Sequence, residues 1–148
     1  MIVHAGLIAT RLNGAWRGVL VEGPSGAGKS DLMLRALELG FRLVADDRVI
    51  LWVSGAAGEA RLFGRAPEPL SGLIEARGLG IVPAGPRTLA EVALTVRPGA
   101  PDRMPEPAFR DILGLRLPQL DLAYGEASAP AKLRHALAVF DAGSKRRI

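Results

Sequence analysis

The 148-residue chain contains no cysteine, so disulfides and thiolate metal sites are excluded. That absence is consistent with the cytoplasmic localisation expected here. Aromatic residues make up only 5% of the chain, and its cations alternate with acids. A nucleic-acid surface asks instead for clustered cations interleaved with aromatics, so no nucleic-acid partner is expected. Its apolar runs fall short of the about 18 residues that cross a bilayer. The start, Met1 to Leu12, has neither a basic n-region nor a cleavage site. Neither a membrane segment nor a secretory leader is therefore expected. Internal repeats and low-complexity tracts are missing, as are Gly-x-Ser-x-Gly, HExxH and paired-histidine patterns, so hydrolase and zinc chemistry have no support.

Lysine is also scarce, with 3 lysines among 19 basic residues. The net charge of +4 comes largely from Lys145, Arg146 and Arg147, which leaves a body close to neutral. The length suits one domain with one sizeable core. Lys29, the first lysine in the chain, stands in Gly23-Pro24-Ser25-Gly26-Ala27-Gly28-Lys29-Ser30. This is the spacing of a phosphate-binding P-loop. Its glycines let backbone N–H groups turn inward around a β-phosphate. Lys29 can reach the β- and γ-oxygens of a nucleoside triphosphate, and the Ser30 hydroxyl can coordinate magnesium.

Around this loop the pattern is strand, loop, helix, strand, which argues for an α/β core. Ile2 to Thr10 and Gly18 to Glu22 read as strands, and Asp31 to Leu39 as a helix closed by Gly40. Leu43 to Ala45 reads as a short buried strand ending on Asp46-Asp47, Val49 to Val53 as extended, and Gly55 to Gly58 as a turn. Leu89 to Val96 reads as a further strand. Arg97 to Pro107, with four prolines, reads as a loop or flap, and Ala131 to Phe140, opened by Pro130, as a late helix.

Asp46 and Asp47 stand where ligands gather in open α/β sheets, at the carboxyl end of a strand. One carboxylate can hold a metal or its waters, and the other can take a proton from an attacking hydroxyl. An Asx turn accounts for the same residues without chemistry. Glu75 and Arg77 form a charged pair in an apolar, glycine-rich stretch. Burying them would ask for a metal or phosphate as company, whereas a solvated edge strand would not. His4, in an apolar run, reads on its own as a packed core histidine, and His135 as a surface or packing residue.

Together these segments resemble the catalytic domain of HPr kinase/phosphorylase, the bacterial enzyme that phosphorylates a serine of the phosphocarrier HPr. The resemblance runs from His4 to about Arg103. It is carried by His4, by Gly23–Ser30 leading into Asp31-Leu32, by Gly40-Phe41-Arg42-Leu43-Val44-Ala45-Asp46-Asp47, and by Ile74-Glu75-Ala76-Arg77-Gly78-Leu79-Gly80-Ile81. The last two are more specific than a P-loop alone.

The resemblance implies an α/β fold, a P-loop kinase core with a mixed sheet and flanking helices, in a single catalytic domain over residues 1–148. No amino-terminal regulatory domain is expected, as in the short alphaproteobacterial members. It implies ATP bound by Gly23 to Ser30, with Ser30 and Glu75 as Mg2+ ligands. Asp47 would be the base for the acceptor serine, His4 an active-site histidine, Lys29 a catalytic cation and Arg103 a catalytic arginine on the flap. The implied partner is HPr or its nitrogen-branch relative, in a homo-oligomer that for the family is a hexamer, with Pro107 to Tyr124 offering an apolar contact surface. The stretch between His4 and Gly23 is longer than the family pattern, with Arg11 to Arg17 expected as a hairpin tip. The late Val-Gly-Arg-Asn-like segment linked to phosphorolysis has no convincing counterpart near Ala127 to Lys132, so the resemblance carries the kinase direction first and leaves the reverse phosphorylase activity open. A small-molecule P-loop kinase and a non-catalytic nucleotide-dependent module remain as alternatives.

Overall fold

The computed structural model describes residues 1–68, 72–83 and 87–146; Arg147 of the basic tail lies outside them. Strands β1 (Ile2–Val3), β2 (Gly6–Leu12), β3 (Ala15–Val21), β4 (Arg42–Ala45), β5 (Val49–Ser54) and β6 (Arg61–Arg65) come first, with helix α1 (Lys29–Leu37) between β3 and β4. Then follow β7 (Leu73–Ala76), β8 (Gly80–Pro83), β9 (Leu89–Pro98), β10 (Ala108–Ile112), β11 (Leu115–Leu122) and α2 (Ala129–Arg146). Among the described residues no helix is long and apolar enough to cross a membrane.

Among the described residues nine strands form one mixed sheet in which β9 is the hub, and β7 and β8 form a separate hairpin. One edge of β9 runs parallel to β3. Its other edge pairs first with β6, antiparallel, and then with β11, parallel. Three parallel strands therefore end side by side, and the Gly23–Ser30 loop leaves from one of them. The expected mixed-sheet α/β fold is the one observed.

β2 and β3 meet through the two-residue turn Asn13-Gly14, with Leu12 opposite Ala15. Asn13 and Gly14 have φ of 50° and 79°, the conformation that a tight two-residue hairpin requires. The long hairpin expected near Arg11 to Arg17 is thus present.

From Gly6 to Thr10 β2 is buried on both faces, because the sheet has a core on each side. Ile8, Val19, Leu94 and Val96 face Leu32, Met33 and Ala36 of α1 and Leu133 and Leu137 of α2. Gly6 lets α1 settle on β2: a Cβ there would lie 2.3 Å from Met33 Sδ. Leu7, Leu20, Leu51, Leu62 and Val92 fill the second core. The sheet curls around it so that a Cβ on Gly64 of β6 would lie 2.7 Å from Leu7 Cδ2 on β2. Each such buried leucine contributes about 1.5–3 kcal/mol relative to exposure.

Four readings change in detail. Ile2 to Thr10 is two strands, broken at His4-Ala5, where the Ala5 N–H donates to Asp47 O at 3.1 Å instead of extending a strand. Pro107 to Tyr124 holds the hairpin of β10 and β11 joined to β9, so the contact surface expected there would be a sheet edge. α2 is longer than expected at both ends. Glu75 and Arg77 are both exposed, and Ile74 and Ala76 are the buried residues of that stretch. The burial argument for their charges therefore does not apply.

Candidate active site

Gly23 to Ser30 joins β3 to α1. Gly23, Gly26 and Gly28 take φ of 140°, 84° and 94°, which a residue with a Cβ adopts only at a cost. Gly28 caps α1 without any side-chain hydrogen bond, so no capping side chain takes the amides of the first turn. A helix start left in this way suits an anion. Lys29 is 8% exposed, and its ammonium donates to Gly23 O at 2.6 Å and Pro24 O at 3.0 Å. Those two bonds use two of its three N–H donors. The loop thus has the shape, the amides and the cation that a phosphate needs.

The two aspartates at the end of β4 have different surroundings. Asp46 is 8% exposed; its Oδ1 accepts the Ser30 hydroxyl at 2.7 Å and its Oδ2 accepts the Glu75 backbone N–H at 3.0 Å. It links the loop to β7. Asp47 takes φ of 73°, and that left-handed conformation costs a non-glycine residue of order 1 kcal/mol or more. The neighbouring bonds from Ala5 N to Asp47 O and from Arg48 N to Asp46 O, at 3.1 and 2.9 Å, hold this turn. Its side chain, 55% exposed, points out of the core, with Asp47 Oδ1 3.0 Å from His4 Nε2.

A cavity of about 440 Å3 is lined by Ser25, Gly26, Gly28, Lys29 and Ser30 of the loop together with His4, Asp46, Asp47, Glu75 and Arg77. Gly23, Pro24 and Ala27 complete the loop behind this wall. Among the described residues no group of three or more His, Asp or Glu is arranged to hold a metal ion by itself. Magnesium commonly takes one or two protein ligands and completes its shell with waters and substrate phosphates. A hydroxyl beside carboxylates, next to a phosphate cradle, fits that demand.

Arg103 does not line the cavity; it is exposed on the loop between β9 and β10. The root of that loop is nonetheless at the cradle, since a Cβ on Gly23 would lie 3.1 Å from the Pro98 ring. Five extended residues from Pro98 span up to about 17 Å, so Arg103 is tethered within reach of the site.

Two residues near the loop escaped the sequence reading. Glu22, the last residue before it, gives its N–H to Val96 O at 2.9 Å and receives the Tyr124 hydroxyl on its own carbonyl at 2.5 Å. The same O–H is shared with Val96 O at 3.0 Å, and Arg35 of α1 donates to Tyr124 O. Burial, and then the Glu22 charge, push the Tyr124 phenol well above its ordinary pKa. The available signal was that Tyr124 is the only tyrosine in the chain.

An α/β domain with a glycine-rich strand-to-helix loop facing a histidine–carboxylate wall is the class that this fold and site define. The model of the HPr serine kinase C-terminal domain matches residues 3–85, and the chain belongs to that family. HPr kinase/phosphorylases of Limosilactobacillus reuteri (strain DSM 20016) and Streptococcus pneumoniae (strain Hungary19A-6) are 48% and 49% identical to it over 65 residues, 44% of this chain. The matched stretch spans 19% and 20% of the length of those relatives. A solved HPr(Ser) kinase/phosphatase from Coxiella burnetii shares the fold with a TM-score of 0.77 at 23% identity, over 98% of this chain and 99% of that one.

Proposed function

We propose that residues 1–148 form a catalytic domain that transfers the γ-phosphoryl group of ATP to a serine hydroxyl of an HPr-like phosphocarrier. The observation that carries this reading is the Asp47 carboxylate, turned out of the core by a left-handed backbone and set on the same cavity as the Lys29 loop. Family membership supports HPr as the acceptor, and its nitrogen-branch relative is the second carrier to test. The reading assigns the domain to the cytoplasm, where ATP and such carriers meet, in a homo-oligomer.

In this reading the loop amides and Lys29 bind the β- and γ-phosphates, and the Lys29 ammonium exchanges its bonds to Gly23 O and Pro24 O for phosphate oxygens. Magnesium would be held by Ser30 with Glu75 and Asp46 beside it, and would neutralise charge on the β- and γ-oxygens. Asp46 fixes the Ser30 hydroxyl with its hydrogen turned away, so its lone pairs are offered to the cation. Asp47 accepts the proton of the acceptor serine as its oxygen bonds to the γ-phosphorus. The bond from that phosphorus to the bridging oxygen breaks, and ADP leaves. His4 holds the Asp47 carboxylate in orientation. Arg103, brought in by its loop, would add positive charge to the equatorial oxygens. Transfer of this kind asks the protein mainly for position and charge.

The test is incubation of the purified chain with ATP and magnesium against both carrier types, followed by mapping of the modified residue. One phosphoryl group on a carrier serine is expected. ADP release with a small alcohol and with neither carrier would instead identify a small-molecule kinase.

A further inference from the structure

Glu22 puts a carboxylate one residue before the phosphate loop, where a negative charge works against binding a polyphosphate. The ammonium of Lys29 rests on the carbonyl of the next residue, Gly23. The fold answers with a cation from a distant strand. Arg110 of β10 approaches Glu22 in a fork: Nε lies 3.2 and 3.1 Å from the two carboxylate oxygens, and a terminal nitrogen lies 3.0 Å from Oε2. Gln119 of β11 adds a donor at 3.5 Å. The other nearby arginine, Arg97, is engaged by Asp121. The Glu22 side chain is 20% exposed and that of Arg110 38%, so solvent weakens the pair without abolishing it.

β10 also carries the far root of the 99–107 loop, while Pro98 at the near root touches the Gly23 position. The pair therefore ties both the charge and the placement of that loop to the cradle. We propose that Arg110 serves the phosphate loop as the charge partner of Glu22: by neutralising that carboxylate it keeps the negative charge one residue before the loop from opposing a bound polyphosphate. This inference rests on the nucleotide-binding reading above and adds to it a residue outside the cavity.

The test measures the dissociation constant of ATP with magnesium for wild type, Arg110→Met, Glu22→Gln and the double variant, at low and high salt. Arg110→Met should weaken binding about tenfold at low salt, equivalent to about 1.4 kcal/mol, and by less at high salt because the unpaired charge is screened. Adding Glu22→Gln to Arg110→Met should restore affinity to near wild type. A brace without an electrostatic role would leave the double variant as weak as Arg110→Met and indifferent to salt, and that result overturns the proposal. Equal affinities for wild type and Arg110→Met overturn it as well. A wild-type chain that binds no nucleotide overturns the underlying reading and this inference with it.

Discussion

The Ser30 hydroxyl donates to Asp46 Oδ1 at 2.7 Å, and the other oxygen of the same carboxylate receives the Glu75 N–H. One buried side chain therefore sets the orientation of the hydroxyl in the phosphate loop and the position of the strand carrying Glu75. Asp46→Asn replaces one acceptor oxygen with a donor, so the Glu75 N–H can be kept only with the amide NH2 donating to Ser30 Oγ, which reverses that bond and removes the charge. Exchanging two charge-assisted bonds for neutral ones costs about 1–2 kcal/mol of stability, measurable by urea unfolding. The magnesium-dependent part of ATP affinity should fall about tenfold or more, since an interaction with an ionised group is lost. Unchanged magnesium dependence would remove Asp46 from this role.

Tyr124 gives the fold a specific alkaline weakness. Burial, followed by the charge of Glu22, raises its phenol pKa in the folded chain. Above the ordinary phenol pKa the unfolded chain gives up this proton while the folded chain keeps it. The folded state then binds more protons, and stability falls as pH rises through that window. Tyr124→Phe should flatten this fall, while losing about 1–2 kcal/mol at neutral pH with the bonds to Glu22 O and Val96 O. As the chain has one tyrosine, tyrosinate absorbance reports this group directly. Titration of the folded protein at the ordinary phenol pKa would contradict the account.

Gly18 stands at the irregularity in the pairing of β3 with β9 that precedes the phosphate loop. A Cβ there would lie 2.7 Å from the backbone oxygen of Glu91, which has no free rotation with which to yield. Gly18→Ala should therefore destabilise the domain by about 1–3 kcal/mol, the usual cost of overpacking. Chemical denaturation measures this, and an unchanged midpoint would show that β9 can retreat.

The legible part of this protein was its local chemistry. The Gly23–Ser30 loop, the leucine-rich helix behind it and the strand before Asp46 are contiguous patterns whose spacing carries their meaning. Long-range consequences were harder to read. β6 and the β10–β11 hairpin carry arginines, aspartates and Pro118 on strands only partly buried, so their alternation is blurred. Pro118 argues against a strand by itself, yet its carbonyl accepts Thr95 Oγ1 at 3.1 Å. Glu75 and Arg77 left a buried pair and a solvated edge strand equally open; strand alternation turns Glu75 outward and Ile74 and Ala76 inward, and Arg77 is exposed in the turn that follows. Spacing alone could not tell Asp46 from Asp47, and only the resemblance singled out Asp47; a positive φ at the second separates them physically. The Arg110–Glu22 pair joins residues 88 positions apart, beyond any local pattern.

The central claim is that Asp47 takes the proton of an acceptor serine while the loop holds ATP, so binding and transfer should separate at this residue. The decisive measurement compares wild type with Asp47→Asn for both ATP affinity and transfer of the γ-phosphoryl group to a carrier serine. The account predicts affinity within about threefold of wild type and transfer reduced by about 10² or more, as for a lost general base. Full transfer by Asp47→Asn would contradict it.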